Sequence, residues 1–144
     1  MYIILTFTGP AVELQPVTAT LSSTYHDNYR APFCIDGDTE DRRGSICVTN
    51  GERTPWIAID YGTRVIIETV EIFNRLSCCG DRTRNVDVRI SDEPPTSVNE
   101  MYSGGTLLGH FAGPATNGQH IIIEGQQLLQ NLLPRLIITS QVKL

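Results

Sequence analysis

The sequence predicts an all-β protein, an antiparallel β-sandwich of the jelly-roll kind. Three observations carry this. Many short apolar runs alternate with period two, they are separated by turn formers, and nowhere does a long helical period appear. The 144 residues suit one domain with a sizeable core, and 40% hydrophobic residues with 12 Gly and 8 Pro is an ordinary globular composition.

Residues 1–7 are apolar, yet they lack a basic leader, are short for a secretory apolar region and are far too short to cross a bilayer. They read as an edge strand, so that residues 1–13 form an N-terminal extension or edge strand ahead of a domain at 14–144. Residues 17–22 have strand composition and lead into a polar loop containing His26 and Arg30. The run 36–45 is dense in oxygen donors and can supply the carboxylates and carbonyls that calcium takes, with Asp38 and Asp41 foremost; the alternative is an acidic turn paired with Arg42 and Arg43. Trp56 opens a strand after a proline turn and is expected in the core. Residues 65–73 alternate cleanly and read as a strand. It ends in a loop, Asn74-Arg75-Leu76-Ser77-Cys78-Cys79-Gly80-Asp81-Arg82, around which the rest is organised. Further strands are expected at 85–90, 106–111, 119–123 and 135–142, with a helical turn at 128–133. No repeat, low-complexity segment or linker is evident.

Charge and motifs exclude several function classes. A net charge of −5 argues against nucleic acid and against electrostatic adhesion to anionic membrane. Of the 11 Lys and Arg residues only Lys143 is Lys, and Arg presents the better fork for polar recognition. No nucleophile elbow, phosphate-binding loop or zinc-type spacing occurs, and His110 and His120 fall in strands, so a binding module is expected rather than an enzyme.

Four cysteines allow three connectivities. Adjacent cysteines sit about 3.8 Å apart at Cα, below the usual span of a disulfide. Cys78 and Cys79 therefore either form a stiff apolar ring between two guanidiniums or pair separately with Cys34 and Cys47.

The pattern Asn-Arg-x-x-Cys-Cys-x-x-Arg at 74–82, preceded by Pro55-Trp56-Ile57-Ala58-Ile59-Asp60 and Ile35-Asp36-Gly37, resembles the F-type lectins, or fucolectins, of the discoidin-like group. The resemblance runs from about Leu14 to the C-terminus. It implies a discoidin-like sandwich with its binding loops at one end, and a fucose site made by Arg75, Arg82 and a vicinal disulfide Cys78–Cys79. His26 and Arg30 would lie in a loop lining the pocket. It also implies a structural calcium ion held by the acidic loop and the start of the last strand, here Asp38, Asp41, Ser45 and Gln141.

The chain departs from the family in several places. Val48 stands where the ligand histidine belongs, and His26 is the candidate substitute. Ser77 replaces an aspartate that braces the arginines, and Gln141 replaces a glutamate. The customary disulfide partners look like Ile46 and Ser140. The resemblance leaves Cys34 and Cys47, whose pairing would close a short loop and contribute about 3 kcal/mol, and two bridges would place the protein in an oxidising, extracellular compartment.

The leading functional expectation is a secreted, calcium-containing lectin for L-fucose or a related sugar. Its partners would be glycans, fucosylated ones in particular, with membranes met only through glycans and homo-oligomers supplying avidity. A protein-recognition or adhesion module that has lost sugar binding is the alternative. A lipid-head-group domain comes third, because the candidate loops are polar.

Overall fold

The computed structural model describes residues 2–6, 15–40, 46–65, 67, 69–91, 105–125 and 133–139. They form eight strands: β1 (Tyr2–Thr6), β2 (Thr18–Leu21), β3 (Trp56–Val65), β4 (Thr69–Phe73), β5 (Val86–Ser91), β6 (Thr106–Phe111), β7 (His120–Glu124) and β8 (Leu133–Thr139). Two short 3₁₀ turns, Ala31–Cys34 and Gly80–Arg82, are the only helical pieces among the described residues.

A three-stranded sheet in the order β1-β4-β7 faces a five-stranded sheet in the order β2-β3-β8-β5-β6, with every pairing antiparallel. The period-two pattern becomes the inner surface. Val70 and Ile72 of β4 and Ile121 and Ile123 of β7 are buried from one sheet, and Ile57 and Ile59 of β3 and Val86, Val88 and Ile90 of β5 from the other. This is the antiparallel sandwich that the alternation predicts.

Two details differ from the sequence reading. The run 65–73 is divided: β3 ends at Val65 in the larger sheet and β4 begins at Thr69 in the smaller. Periodicity reports which residues face inward and carries no signal for the point where a chain changes sheets. Trp56 is half-buried, because it lies out of phase with the buried Ile57 and Ile59 and takes the opposite face of β3. Of the helical turn expected at 128–133, residues 128–132 lie outside the described residues, and Leu133 is instead the first residue of β8, paired with Val65.

Both disulfides are formed in the expected pairing. Cys34–Cys47 spans 5.2 Å between Cα atoms and joins the core cluster. Cys78–Cys79 spans 3.8 Å, the separation of neighbours across a trans peptide.

Antiparallel register decides where the loops go. Trp56, at the start of β3, pairs with Thr139 at the end of β8, and Thr139 pairs with Asp87 near the start of β5. Phe73, the last residue of β4, pairs with His120, the first of β7. The connections 22–55, 74–85 and 112–119 are thereby gathered at one end of the sandwich.

Alkylation under denaturing, non-reducing conditions is expected to leave the protein's mass unchanged, since the structure has no free cysteine. Replacing Cys34 and Cys47 together with Ala opens a bridge of sequence separation 13, and chemical denaturation should show a loss of about 3 kcal/mol.

Candidate functional site

Asn74 is the first residue beyond β4 and continues its inward phase after Val70 and Ile72. A polar side chain buried there must find partners. Its Nδ2 donates to the carbonyls of Gly80 (3.0 Å) and Thr116 (2.8 Å), and its Oδ1 accepts from Thr83 Oγ1 (2.9 Å). One side chain thus closes the loop 74–85 on itself and fastens it to the 112–119 connection. The backbone adds more ties: Asn74 N–H donates to the Gln119 carbonyl (3.0 Å), Gly118 N–H to that of Arg75 (2.7 Å) and Ala115 N–H to that of Thr83 (2.9 Å).

Cys79 adopts the left-handed conformation (φ 65°), sparsely used by residues other than glycine, and the chain then enters the Gly80–Arg82 turn. Gly80 is required at this point, because a Cβ would lie 2.5 Å from the backbone of Thr116 and Asn117. Its N–H donates to Asn117 Oδ1 (2.8 Å).

On this braced loop sit Arg75, Cys78, Cys79 and Arg82. Arg75 is half-buried, and its Nε donates to Ser77 Oγ at 3.0 Å. Ser77, expected to be a lost brace, therefore holds Arg75 through its hydroxyl. Arg82 is exposed, and its guanidinium has no hydrogen bond or ion pair among the described residues. The neighbouring Asp81 approaches Arg84 instead, at 3.9 Å. The half-buried Cys78–Cys79 ring lies between the two arginines in sequence.

The connection 22–55 carries a second group. Val48 is half-buried, and its carbonyl accepts from Tyr25 N–H (2.9 Å) while its N–H donates to the Tyr29 carbonyl (3.2 Å). The disulfide at Cys47 fixes the adjacent residue, so Val48 is held into the 25–29 loop from two sides. His26 is exposed there, with Nδ1 accepting from Asn28 N–H (3.3 Å), and the exposed Arg30 pairs with Asp27 at 3.7 Å. Tyr25 and Tyr29 lie 6.2 Å apart, a tilted aromatic pair that the sequence reading passed over. Glu52 anchors the base of the loop by accepting from Ser22 Oγ (2.8 Å) and Ser23 Oγ.

Asp38 is partly exposed in a chain of Asx turns. Its N–H donates to Asp36 Oδ1 and its own Oδ1 accepts from Glu40 N–H, each at 3.0 Å. Asp41, Ser45 and Gln141 lie outside the described residues. Among those described, no three His, Cys, Asp or Glu side chains converge as a metal site would require. His110 and His120 sit on strands, 2.7 Å from Asp87 and Glu71 respectively, with His120 stacked on Phe73.

Asn74, Thr83, Thr116 and Asn117 are the residues that sequence reasoning missed. Asn74 had a readable signal, a polar residue in the inward phase of a strand. The others are partners that only the fold brings near.

An antiparallel sandwich with a polar, arginine-bearing loop cluster at one end defines a binding domain of the F5/F8 type C class. The chain belongs to that family: its model, described as NedA-like, galactose-binding domain, matches residues 33–116. The chain is similar to the fucolectin of the eel Anguilla anguilla, with 28% identity over 116 residues covering 73% of each chain. Among solved structures it shares its fold with the serum fucolectin of striped bass, Morone saxatilis (TM-score 0.76, 23% identity); the match takes in 91% of this chain and 44% of that longer one. A fucose binding module of Streptococcus pneumoniae gives a TM-score of 0.65 at 21% identity, covering 88% of this chain and 86% of that one. The resemblance read from the Cys-Cys motif is borne out, and the chain is a binding domain rather than an enzyme.

Asn74→Ala removes one of the hydrogen bonds to each of the Gly80 and Thr116 carbonyls and takes the acceptor from the buried Thr83 hydroxyl. Thermal and denaturant unfolding should register a loss of about 3 kcal/mol. Ser77→Ala should leave stability within about 0.5 kcal/mol, since its bond to Arg75 is exposed.

Proposed function

We propose that this protein is a lectin that binds L-fucose or a related sugar with the loop 74–85. The observation that carries this reading is the placement of Arg75, Arg82 and the Cys78–Cys79 ring on one loop whose backbone is pinned from beneath by Asn74. A monosaccharide has one face of hydroxyl and ring oxygens, for which planar guanidiniums supply several fixed donors. Its other face carries C–H groups, and the disulfide ring offers them apolar contact. The eel and bass relatives, named as fucolectins, support the same ligand.

Within this reading Val48 contributes apolar contact where the family has a histidine, and His26 and Arg30 belong to the loop that borders the pocket. Val48 also favours a second reading, a protein-recognition or adhesion module on the same scaffold, because a hydrogen-bond partner for the sugar has been removed. Affinity for one sugar is modest with so few contacts, and several copies on a glycan-bearing surface would supply avidity. Two disulfides suit an oxidising, extracellular setting. Among the described residues no helix is long and apolar enough to cross a membrane.

Calcium belongs to the proposal. The donors are of the right type, since carboxylate oxygens of Asp38 and Asp41, with oxygens of Ser45 and Gln141, are the hard ligands calcium takes. The ion would stiffen the loop that leads from Cys34 to Val48.

Titration calorimetry with a fucosylated glycan tests the site. Arg82→Ala is expected to weaken binding at least tenfold with the melting temperature unchanged, since the exposed side chain has no partner to lose among the described residues. Val48→His should strengthen it roughly ten- to a hundred-fold by restoring a partner to a sugar hydroxyl. Arg82→Ala protein that binds as wild type would remove this loop from the site, unchanged binding in Val48→His would show that another group such as His26 fills the role or that the site lies elsewhere, and wild-type protein silent toward every glycan would favour the adhesion module. Added calcium should raise the melting temperature and a chelator lower it, through binding to the folded state alone. Indifference to both would leave residues 36–45 as an acidic turn.

A further inference from the structure

We propose that the loop 74–85 selects an anionic saccharide, one bearing a sulfate ester or a carboxylate, over the corresponding neutral sugar. The inference rests on the lectin reading and deepens it by naming the ligand's charge.

The argument is one of local charge. The protein as a whole carries −5, yet residues 74–85 hold three arginines, Arg75, Arg82 and Arg84, against the single carboxylate of Asp81. That carboxylate is directed at Arg84, at 3.9 Å, and not at the two arginines that flank the disulfide in sequence. The Ser77 hydroxyl accepts a hydrogen bond from Arg75 Nε at 3.0 Å and contributes no negative charge. Arg82 is exposed and has no hydrogen bond or ion pair among the described residues. Val48, the residue at the expected histidine position, brings no polar group of its own. A neutral sugar hydroxyl accepts from such a guanidinium as an ordinary dipole. A sulfate or carboxylate group accepts two parallel, charge-assisted bonds on two of its oxygens from the same fork, each with roughly twice the strength. Ser77 is in this account a positioning residue. It aims Arg75 and, unlike an aspartate, leaves the loop's positive field intact.

The shared chemistry is an oxyanion on a sugar ring, and its two sources are separable by experiment. Calorimetric titrations with L-fucose and a fucose sulfate, and with galactose and galacturonate, compare each neutral ring with its charged counterpart. Sodium sulfate serves as the ion alone. The charged member of at least one pair is expected to bind about tenfold more tightly, and the difference should shrink as sodium chloride is raised from 0.05 to 0.5 M. The pair showing it names sulfate ester or carboxylate as the source. In Ser77→Asp, checked for an unchanged melting temperature, the ratio of charged to neutral affinity should fall toward one. The reverse preference, or none, in wild type overturns the inference and leaves the lectin reading standing. Failure of every sugar to bind overturns both. Sulfate ion bound as tightly as the sulfated sugar, or a ratio undiminished in Ser77→Asp, also overturns it.

Discussion

The side chain of Asn74 is the constraint on which the loop-bearing end of the sandwich depends. It lies at the next inward position after Val70 and Ile72, where a hydrophobic residue would simply extend the core. An amide there is costly unless every polar atom is satisfied. The satisfying groups are two carbonyls and a hydroxyl drawn from both halves of the loop and from the 112–119 connection. The requirement to pair one buried amide thus becomes a requirement that the chain turn sharply after Cys79 and return past Gly80 within contact of Thr116. The left-handed backbone of Cys79 and the close approach at Gly80 are held in place by this network. The backbone that carries Arg75 and Arg82 is therefore held in one conformation by the fold itself.

The electrostatics of this end follow from the groups that meet its arginines. The Ser77 hydroxyl accepts from Arg75 Nε without adding negative charge to the loop. Asp81, adjacent to Arg82 in the chain, approaches the residue three positions on from itself, which is where the turn of the Gly80–Arg82 segment places Arg84. Positive charge is thereby concentrated on a loop of a protein that is acidic overall. Long-range attraction to anionic surfaces is weak for such a molecule, so the positive field of this loop acts at short range.

The second loop cluster is assembled by different means. Cys34 and Cys47 tie the entry of the 36–45 segment to its exit, so that Val48 arrives at the Tyr25–Tyr29 loop whatever course the intervening residues take. The serines at the end of β2 and Glu52 close the base of the same loop. One site-bearing loop is pinned by a buried amide and the other by a disulfide and main-chain bonds. The antiparallel register of two sheets brings both to the same end.

Much of this was legible in the residues alone. Alternation of Val, Ile and Thr with polar residues named the sandwich and most of its strands, because a half-buried strand exposes every second side chain and a sequence records that directly. The spacing of Arg75, Cys78, Cys79 and Arg82 marked the loop, since four chemically distinctive residues within eight positions survive as a local pattern. What was not legible required partners distant in the chain. The division of residues 65–73 between two sheets depends on which strands pair, and Trp56 faces outward only because Ile57 and Ile59 take the inner face. Ser77 could be read as a lost brace until its hydroxyl was found on Arg75. The role of Asn74 rests on Thr83 and Thr116, the latter 42 residues away. Local sequence determines which face a residue prefers and what chemistry it carries. Only the closed sandwich decides which buried polar groups meet, because that choice follows from satisfying all of them at once.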